Sequence, residues 1–578
     1  MADKEKAEMA LKPLRPITSI DQAAAKSKPK ISKSQADKEI ALGKKASQKR
    51  DWPVAVKHLL RAWEYYSDDL ALLTILSHAL VQLGVREKAI EVLEKTLSRH
   101  EPTPDICAIM LQMALEMSMY DTAVKIGRAL IELDPNTASH YVNLGSALAG
   151  ADQLDAGIDM LKNVIPIFPE HSGLWNVLGH TVQKRDGREA SKVFFEEALR
   201  LNPKSFKAMN NLAFVEMDTK KRLALAERGL KVHPDTPELH ISKAFCLMHD
   251  GDLVNGFEEY EWRLDPRRKL GQTLIYTHKV PVWDGSSLKG KSLFVTGEQG
   301  IGDEILFSIM LERVYEEAEK LYIGCEKRLV TIFERRFPNA TVVPGATKSA
   351  YGYIYRSYPD IEYAIRDEGL EIDWAVPIAS LPRYYWKSIE DIPEFPEGFL
   401  HADKGLKKAL AERISSVGEG LKVGIAWRSG HMTIERSRAY LSLEKLLPVL
   451  QQKGVHFFSL QYTDVREEVE AFEKAHGIKI HRFDDIDMKK NIEANLAIAE
   501  NLDLVLGAGV SPLTFAASVG TPTWWMTELQ PWWRFGCEEG RPKFLPQGRF
   551  FTQEGRLGSW DGPVDDVRLA LADFVATH

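Results

Sequence analysis

The sequence predicts an all-α superhelix of repeated helix pairs, followed by an α/β region that contains two parallel sheets. Two observations predict this architecture. Small and apolar residues recur every 34 positions in the first half of the chain, and short apolar runs alternate with helical stretches in the second half. The 578 residues suffice for roughly three to four domains. We expect a flexible tail over 1–35, the repeat array over 36–265, a connector over 266–290, and two sheet domains over 291–400 and 401–578, with a hinge within 384–420.

Composition excludes several classes of protein. Hydrophobic residues make up 44% and charged residues 27% of the chain, which is typical of a folded globular protein. There are 75 basic and 82 acidic side chains and no dominant basic block, which disfavours a general nucleic-acid binder. The four cysteines lie far apart, which disfavours a disulfide scaffold or a zinc ribbon and fits a reducing cytoplasm. With neither a signal-peptide core nor a run of eighteen apolar residues, we expect a cytoplasmic protein without a membrane span.

The repeat is carried by four series of positions that share one register. The first series holds a small residue where two helices are expected to cross closely. Its members are Ala55, Ala89, Ala123, Gly157 and Ser191. The other series are Ala62, Thr96, Leu130, Val164 and Ala198, then Pro135, Pro169 and Pro203, then Gly145 and Gly179. This pattern resembles the tetratricopeptide repeat, a helix-turn-helix unit of 34 residues.

About seven such units fit the array. The sixth is short, because Pro234 follows Pro203 by 31 residues rather than 34. A single unit cannot bury its apolar stripe, so the units must stack into a superhelix with a long concave face. We expect that face to bind an extended peptide or a helix of a partner protein. A spacer or a dimerisation arm is the alternative.

The flanking segments differ in composition from the array. Residues 1–35 carry almost no large apolar side chains and cannot offset their ordering entropy, which indicates a flexible tail. After Leu264 the period stops, and Pro, Gly and Ser in 266–290 indicate a connector. The strands expected beyond it are KSLFVTG, LYIGC, VGIAW, VHFFSLQ, IKIHRF, LDLVLGAG and TPTWWM. Their alternation with helices predicts parallel sheets, in which ligands bind beyond the carboxyl ends of the strands.

The first loop of interest joins the strand KSLFVTG to the next helix. Its glycines Gly297, Gly300 and Gly302 permit a tight turn and a close approach of a ligand. Asp303 falls at the start of the helix, where it is a candidate general base or, alternatively, a helix cap. We take Gly300, Gly302 and Glu304 as candidate acceptor-loop residues. The loop lacks both the GxGxxG pattern of dinucleotide folds and the lysine of a P-loop.

Two further loops predict an anion site on the second sheet. After VGIAW come Arg428, Ser429, Gly430 and His431, then Arg436 and Arg438. Guanidinium groups hold phosphate oxygens in pairs, although a solvated basic loop is the alternative. After LDLVLGAG, Ser511 and Pro512 predict an N-cap and a first helical residue, and free N–H groups at a helix start favour an anion. An ordinary strand-to-helix turn is the alternative for this loop. The candidate donor-binding residues are Arg428, Ser429, His431, Arg436, Gly509, Ser511 and Thr514.

Two other motifs contain residue types that occur in ligand sites. Trp524 and Trp525 belong to a strand and are expected in the core, whereas Trp532, Trp533 and Arg534 have the chemistry to stack on a sugar or a base. The Asp-x-Asp at Asp485–Asp487, within Asp484-Asp485-Ile486-Asp487, is interpreted as a solvated turn. No cluster elsewhere has metal-ligand spacing, so we expect no metal site.

The second half resembles a known family. PVWDGSSLKGKSLFVTGEQGIGDEILFS, the preceding GFEEYEWRL, and the later VGIAWRSG, LDLVLGAG and PWWRFG are similar to the glycosyltransferase module that follows tetratricopeptide repeats in many bacterial proteins. The module resembles heptosyltransferase-like members of the GT-B fold and covers nearly all of 250–578. The resemblance implies two Rossmann-like domains, a nucleotide-sugar donor as substrate, and no metal or other cofactor. It also implies that Asp303 is the catalytic base of an inverting transfer.

One departure from the family pattern leaves alternatives open. The family usually has Val-Asp-Thr-x-x-x-His after the last strand, but Ala508 to Thr514 here contain neither the Asp nor the His. A narrower resemblance is to flagellin-modifying glycosyltransferases of alphaproteobacteria. It implies that the repeats hold flagellin and that its Ser or Thr hydroxyls receive a nonulosonic (sialic-like) acid from a CMP-activated donor. The alternatives are a glycosyltransferase of lipopolysaccharide or capsule assembly and an inactive scaffold that binds proteins through its repeats.

Overall fold

A computed structural model describes most of the chain. The described residues are 31–49, 51–66, 69–85, 88–92, 103–268, 273–298, 300–350, 353–430, 440–527, 537–538, 540–553 and 560–578. Most of the predicted tail, the repeat position Thr96 and part of the loop after the strand VGIAW lie outside these ranges.

The first half consists of helix pairs joined by short turns. Its helices are Lys33–Gln48, Trp52–Trp63, Leu70–Gln82, Pro104–Glu116, Tyr120–Leu133, Ala138–Gly150, Leu154–Val164, Ser172–Asp186, Arg188–Leu201, Phe206–Val215, Thr219–Val232, Pro237–His249 and Leu253–Tyr260, with a further helical stretch at 88–92. They form seven pairs over the described residues, which confirms the predicted helical repeat. The first helix begins inside the predicted tail, where Ser32 and Gln35 form a capping box.

The small residues of the repeat lie where neighbouring helices cross. Ala55, Ala89, Ala123 and Ser191 are fully buried, and Gly157 is buried as well. The two repeated glycines show why a side chain is excluded at these crossings. A Cβ atom at Gly145 would lie 2.9 Å from a methyl of Val177, and one at Gly179 would lie 2.8 Å from the ring of Phe195. The 34-residue period therefore arises because a small residue is needed wherever two helices pack closely.

The first sheet contains six strands. They are β1 (Leu274–Tyr276), β2 (Ser292–Thr296), β3 (Lys320–Glu326), β4 (Thr341–Ala350), β5 (Tyr353–Ser357) and β6 (Trp374–Pro377). Their order is β1-β5-β4-β3-β2-β6, and all neighbours are parallel except β4 and β5. The helices of this unit are Ile301–Phe307, Leu311–Glu317, Val330–Arg336, Pro359–Asp367 and Leu381–Tyr385. The segment 266–290, expected to be a connector, contributes the edge strand β1 to the sheet.

The second sheet also contains six strands, all parallel to their neighbours. They are β7 (Leu421–Ala426), β8 (Val455–Ser459), β9 (Ile480–His481), β10 (Leu504–Ala508), β11 (Thr523–Thr527) and β14 (Arg549–Thr552). Their order is β14-β11-β10-β7-β8-β9. A small antiparallel pair, β12 (Cys537–Glu538) and β13 (Arg541–Pro542), lies outside it. The helices are Lys404–Ser415, Leu443–Leu450, Arg466–His476, Ile492–Ala499, Ser511–Ser518 and Asp561–Thr577.

The last helix pair of the array shares a hydrophobic core with the α/β half. Phe257 and Tyr260 are almost completely buried, and the ring of Phe257 meets that of Trp386 edge-on at 5.8 Å. A 3-10 turn, Glu261–Leu264, then ends the array. The array and the first sheet are therefore packed together. Among the described helices, none is long and apolar enough to cross a membrane.

Candidate functional site

Two of the predicted loops lie where the strand order of their sheet reverses. In the first sheet β2 has β3 on one side and β6 on the other, and in the second sheet β7 lies between β8 and β10. Strand order reverses at such points, and the connections leave to opposite faces, which opens a crevice at the carboxyl end of the central strand. The Gly-rich loop follows β2 and the Arg428 loop follows β7, so both occupy the position where ligands bind in α/β sheets.

Two buried arginine–glutamate pairs support the Gly-rich loop on the side that faces the protein interior. Glu298 pairs with Arg263, and Glu304 pairs with Arg356 at 2.6 Å. Tyr276 and Tyr358 both donate hydrogen bonds to the Gly297 carbonyl at 3.2 Å. Such fully bonded buried groups hold Gly297, Glu298 and Glu304 in defined positions.

Glu304 points inward, away from the crevice. It is 1% exposed, and it accepts the Glu326 N–H at 2.7 Å as well as the Arg356 guanidinium. Burial raises the pKa of this carboxyl to about 7, although Arg356 opposes the shift. A Cβ atom at Gly297 would lie 2.7 Å from the carboxylate, which explains the glycine there. Glu304 therefore supports the loop, in contrast to the acceptor contact expected from the sequence.

Asp303 occupies the first turn of the helix Ile301–Phe307, whose N-cap is Gly300. Its carboxylate accepts a hydrogen bond from the Gly300 N–H at 3.4 Å. The side chain is half-buried. Asp303 therefore caps the helix from its third position, and it does so at the edge of the crevice.

Gly302 lies at one of the contacts between the two sheet units, and another is the Arg335–Glu493 ion pair. A Cβ atom at Gly302 would lie 3.3 Å from Ser511 Oγ and 3.7 Å from Ser511 Cα. Ser511 begins the helix that follows β10, with Val510 as its N-cap, so this helix starts one residue earlier than predicted. The candidate acceptor loop and the candidate donor helix are thus in direct contact across the crevice. Ser511 and Thr514 are half-buried at this helix start.

The glycines before this helix have different roles. Gly507 has φ of +149°, and a Cβ atom there would lie 1.9 Å from the Ala426 carbonyl oxygen, so only glycine fits beside β7. Gly509 is exposed, and its nearest neighbour at a Cβ position is Thr527 Cγ2 at 3.4 Å. Gly507 therefore serves the sheet, whereas Gly509 leaves the turn open toward solvent.

Arg428 is engaged by a carboxylate. Its guanidinium Nη2 donates to Glu468 Oε2 at 2.5 Å, and Trp427 Nε1 donates to the other oxygen of Glu468 at 3.0 Å. Gln461 accepts the Trp427 and Arg428 N–H groups and donates to the Arg428 carbonyl. The loop after β7 is thereby tied to the loop after β8. A phosphate that binds Nη2 of Arg428 must displace the Glu468 carboxylate from it.

A pocket of about 420 Å³ opens beside this loop, at the carboxyl ends of β8 and β9. Its lining includes Gln461, Tyr462, Arg466, Arg482 and Phe483. Tyr462 Oη accepts the Gly430 N–H at 2.9 Å and lies 3.2 Å from Ser429 Oγ. Asp464, Asp484 and Asp487 also line the pocket, and Asp484 pairs with Arg482 at 3.2 Å, so carboxylates offset the charge of the two arginines. The aromatic side chains suit a planar ligand.

A second pocket of about 320 Å³ lies at the carboxyl end of β3 and beside the middle of β4. Cys325, Lys327, Thr347 and Arg356 are among its lining residues. Arg356 connects this pocket to the support of the Gly-rich loop, because the same guanidinium pairs with Glu304. The first sheet thus has its own recess next to the loop.

The remaining motifs are structural or lie outside the described ranges. Trp524 and Trp525 are 7% and 2% exposed on β11, which confirms the core interpretation. Asp484, Asp485 and Asp487 form an exposed turn, as predicted, in which Asp485 pairs with Arg413 at 2.7 Å. The residues His431, Arg436, Arg438, Trp532, Trp533 and Arg534 lie outside the described part of the chain. Within the described part, no group of three or more His, Cys, Asp or Glu side chains is arranged to hold a metal ion.

Sequence reasoning missed the residues that support the loops. Arg263 and Glu298 are charged residues with no motif around them, and only tertiary structure brings their side chains together across 35 positions. Gln461 and Glu468 were likewise overlooked. Gln461 stands directly after a buried strand, and that position was the available signal.

Comparison with known proteins supports a relationship over the whole chain. No family model matches the sequence. The chain is 29% identical over 585 residues to Protein FlbA of Caulobacter vibrioides, an alignment that covers 96% of this chain and 94% of that protein. Among solved structures, a thermophilic TPR protein of Thermus thermophilus is 18% identical with a TM-score of 0.28, and covers 31% of this chain and 100% of its own. A tetratricopeptide repeat protein of Parabacteroides merdae is 14% identical with a TM-score of 0.31, covering 39% and 91%.

Proposed function

We propose that the chain is an inverting protein O-glycosyltransferase with a GT-B catalytic half and an acceptor-binding repeat array. In this proposal it transfers a nonulosonic acid from a CMP-activated donor to Ser or Thr hydroxyls of flagellin. The observation that carries the proposal is the contact of Gly302 with Ser511. It brings together two loops, one from each sheet, of which one stands at a strand-order reversal.

The two sides of the crevice suit different substrates. The second sheet offers the helix start at Ser511, which suits a nucleotide phosphate, and the 420 Å³ pocket, whose aromatic side chains suit a base. The first sheet offers the Gly-rich loop and Asp303, which suit the acceptor hydroxyl. A donor on one side and an acceptor on the other meet at the contact between the two loops.

In this proposal, Asp303 receives the acceptor proton. The hydroxyl oxygen forms a bond to the anomeric carbon while the bond from that carbon to the CMP phosphate breaks, and CMP departs from the opposite face. The hydroxyl proton passes to Asp303 late, when bonding to the sugar has made it acidic. Because the Asp303 carboxylate also accepts the Gly300 N–H, its position within the loop is fixed before substrate binds.

The acceptor assignment rests on the array and on similarity. Seven helix pairs provide an extended surface of the kind that binds protein segments, which a small glycan acceptor does not require. The match to Protein FlbA spans both halves of the chain, so repeats and α/β half form one conserved unit between the two proteins. Flagellin as the acceptor follows from the resemblance of the sequence to flagellin-modifying transferases.

The test combines purified chain, flagellin from the same organism and a CMP-activated nonulosonic acid. We expect a mass increase of flagellin by the sugar residue, measured on the intact protein. Asp303→Asn keeps the capping oxygen and should reduce turnover by about 10² to 10⁴ without loss of acceptor capture. Asp121→Asn, at the start of an array helix, is the matched control and should leave turnover unchanged.

Three outcomes contradict the proposal in different ways. An unmodified flagellin together with a modified lipopolysaccharide or capsule glycan favours the glycan transferase. Capture of flagellin without transfer from any activated sugar favours a scaffold, a role that the Arg428–Glu468 pair and the missing Asp and His would suit. Full turnover of Asp303→Asn assigns Asp303 to helix capping alone.

A further inference from the structure

A residue in the last turn of the repeat array bonds directly to a residue of the Gly-rich loop. Arg263, in the turn Glu261–Leu264, is only 4% exposed. Its Nε donates to Glu298 Oε2 at 2.9 Å, and its Nη2 donates to Glu298 Oε1 at 2.7 Å. This is a two-point contact between a residue of the array and a residue of the loop.

Further hydrogen bonds fix both partners. Arg263 also donates to Glu261 Oε1 and to Ser380 Oγ, each at 2.7 Å. Glu298 is 2% exposed and accepts the Ala379 N–H at 3.0 Å. The pair is therefore held by the array on one side and by the end of β6 on the other.

The pair lies a few residues from the contact between the two sheets. Glu298 follows Gly297 directly, and Gly302 meets Ser511 four residues further along the chain. A shift of Glu298 moves the backbone that places Gly302 and Asp303. The path from the array to the crevice thus runs through one ion pair and one short loop.

A role in positioning explains this pair better than a role in stability. Removing two charges from water is costly, so a buried ion pair contributes little net stability compared with an apolar pair of the same size. What the pair adds is geometry, because a guanidinium and a carboxylate joined at two points allow one relative orientation.

We propose that Arg263 is a positioning residue of the site, which sets the Gly-rich loop through Glu298. The repeat array would then complete the α/β half in addition to binding the acceptor. The consequence for transfer rests on the proposed function, whereas the effect on the loop does not.

Hydrogen exchange of the full chain, measured by mass spectrometry, tests the effect on the loop. In Arg263→Lys, which keeps the charge but loses the two-point contact, amide exchange over 294–305 should be about tenfold faster than in the wild type. Exchange over β7 and β10 should be unchanged. Glu298→Gln, which keeps the shape of Glu298, should show the same local increase and guards against a misfolded first variant.

The matched control is Glu258→Gln. Glu258 joins the array to the α/β half through Arg383 at 2.6 Å, but its side chain is 60% exposed and it does not contact the loop. It should leave loop exchange unaltered. Unchanged loop exchange in both Arg263→Lys and Glu298→Gln would overturn the proposal, as would an increase spread evenly over the whole chain.

A kinetic measurement separates this inference from the proposed function. With flagellin and the CMP-activated sugar, Arg263→Lys should lower kcat about tenfold while capture of flagellin by the array stays unchanged. A faster-exchanging loop in a chain that transfers no sugar contradicts the proposed function only. A faster-exchanging loop with wild-type kcat contradicts the positioning role.

Discussion

Side chains of the candidate site act according to their partners rather than their type. Asp303 and Glu304 are adjacent carboxylates. Asp303 is half-buried at the crevice edge, whereas Glu304 is buried and bonded to Arg356. Residue type and spacing could predict that both belong to the loop. The inward direction of Glu304 depends on Arg356, which is 52 positions away along the chain and could not be inferred locally.

The buried Glu304 predicts a pH dependence of stability. The folded chain keeps this proton up to about pH 7, whereas an unfolded glutamate loses it near 4.5. The folded state therefore binds the extra proton between these values, and its free energy of unfolding should fall as pH rises through that window, by at most about 1.4 kcal/mol per pH unit. Urea unfolding at pH 5, 6, 7 and 8 measures this.

In Glu304→Gln this contribution should vanish, while the exposed control Glu319→Gln should keep the wild-type slope. An identical slope in Glu304→Gln and the wild type would show that Glu304 is ionised in the folded state throughout.

In the proposed function, a donor phosphate at Arg428 would compete with Glu468 for the guanidinium. Glu468→Gln removes the competing charge and should tighten binding of CMP, whereas Arg428→Ala should weaken it by about 1.5–3 kcal/mol, the value of one charge-assisted contact. Isothermal calorimetry with CMP measures both. If neither variant changes the affinity, the phosphate binds elsewhere on the second sheet.

At the scale of elements, strand ends and helix starts define the crevice. The predicted strands β2, β3, β7, β8, β9, β10 and β11 are all present. All but the two-residue β9 are largely buried apolar runs bounded by turn residues. The strands β1, β4, β5 and β6 were not predicted. They are partly exposed or interrupted by Pro and Gly, so their apolar runs do not stand out, and neighbouring strands determine their conformation.

The Gly-x-Gly before the second crevice helix provides an element-scale prediction. Gly507→Ala places a methyl against the Ala426 carbonyl in a backbone conformation that favours glycine, so it should cost on the order of 3 kcal/mol of stability. Gly509→Ala, two residues away and exposed, should stay within about 0.5 kcal/mol. Chemical denaturation measures both, and equal stabilities would refute the assigned packing of β10 on β7.

At the scale of the molecule, the last helix pair of the array and the α/β half share one hydrophobic core. The period predicts where the array ends, near 265, but it contains no information about what the last pair packs against. Phe257 and Tyr260 are buried in a core shared with Trp386. The sequence could therefore predict the two architectures but not their fusion, which depends on contacts that no repeat position encodes.

Truncation tests this shared core. A chain that starts at 234 keeps the last helix pair and should unfold cooperatively, as followed by circular dichroism on heating. A chain that starts at 273 loses two buried aromatics, each worth about 3–5 kcal/mol, and should lack a cooperative transition. The same melting temperature for both fragments would show that the sheets need no repeat.

The array is attached to the α/β half through its last helix pair, next to the crevice. The other pairs are held only by contacts with their neighbours in the array. Small bending errors between successive pairs add up with distance from the anchor. If the array binds the acceptor as proposed, a segment bound at Pro237–His249 would reach the crevice with little positional error, and one bound at Lys33–Gln48 with much more. Contacts near the anchor would decide which hydroxyl enters the site, whereas contacts near the far end would mainly raise the local concentration of the partner.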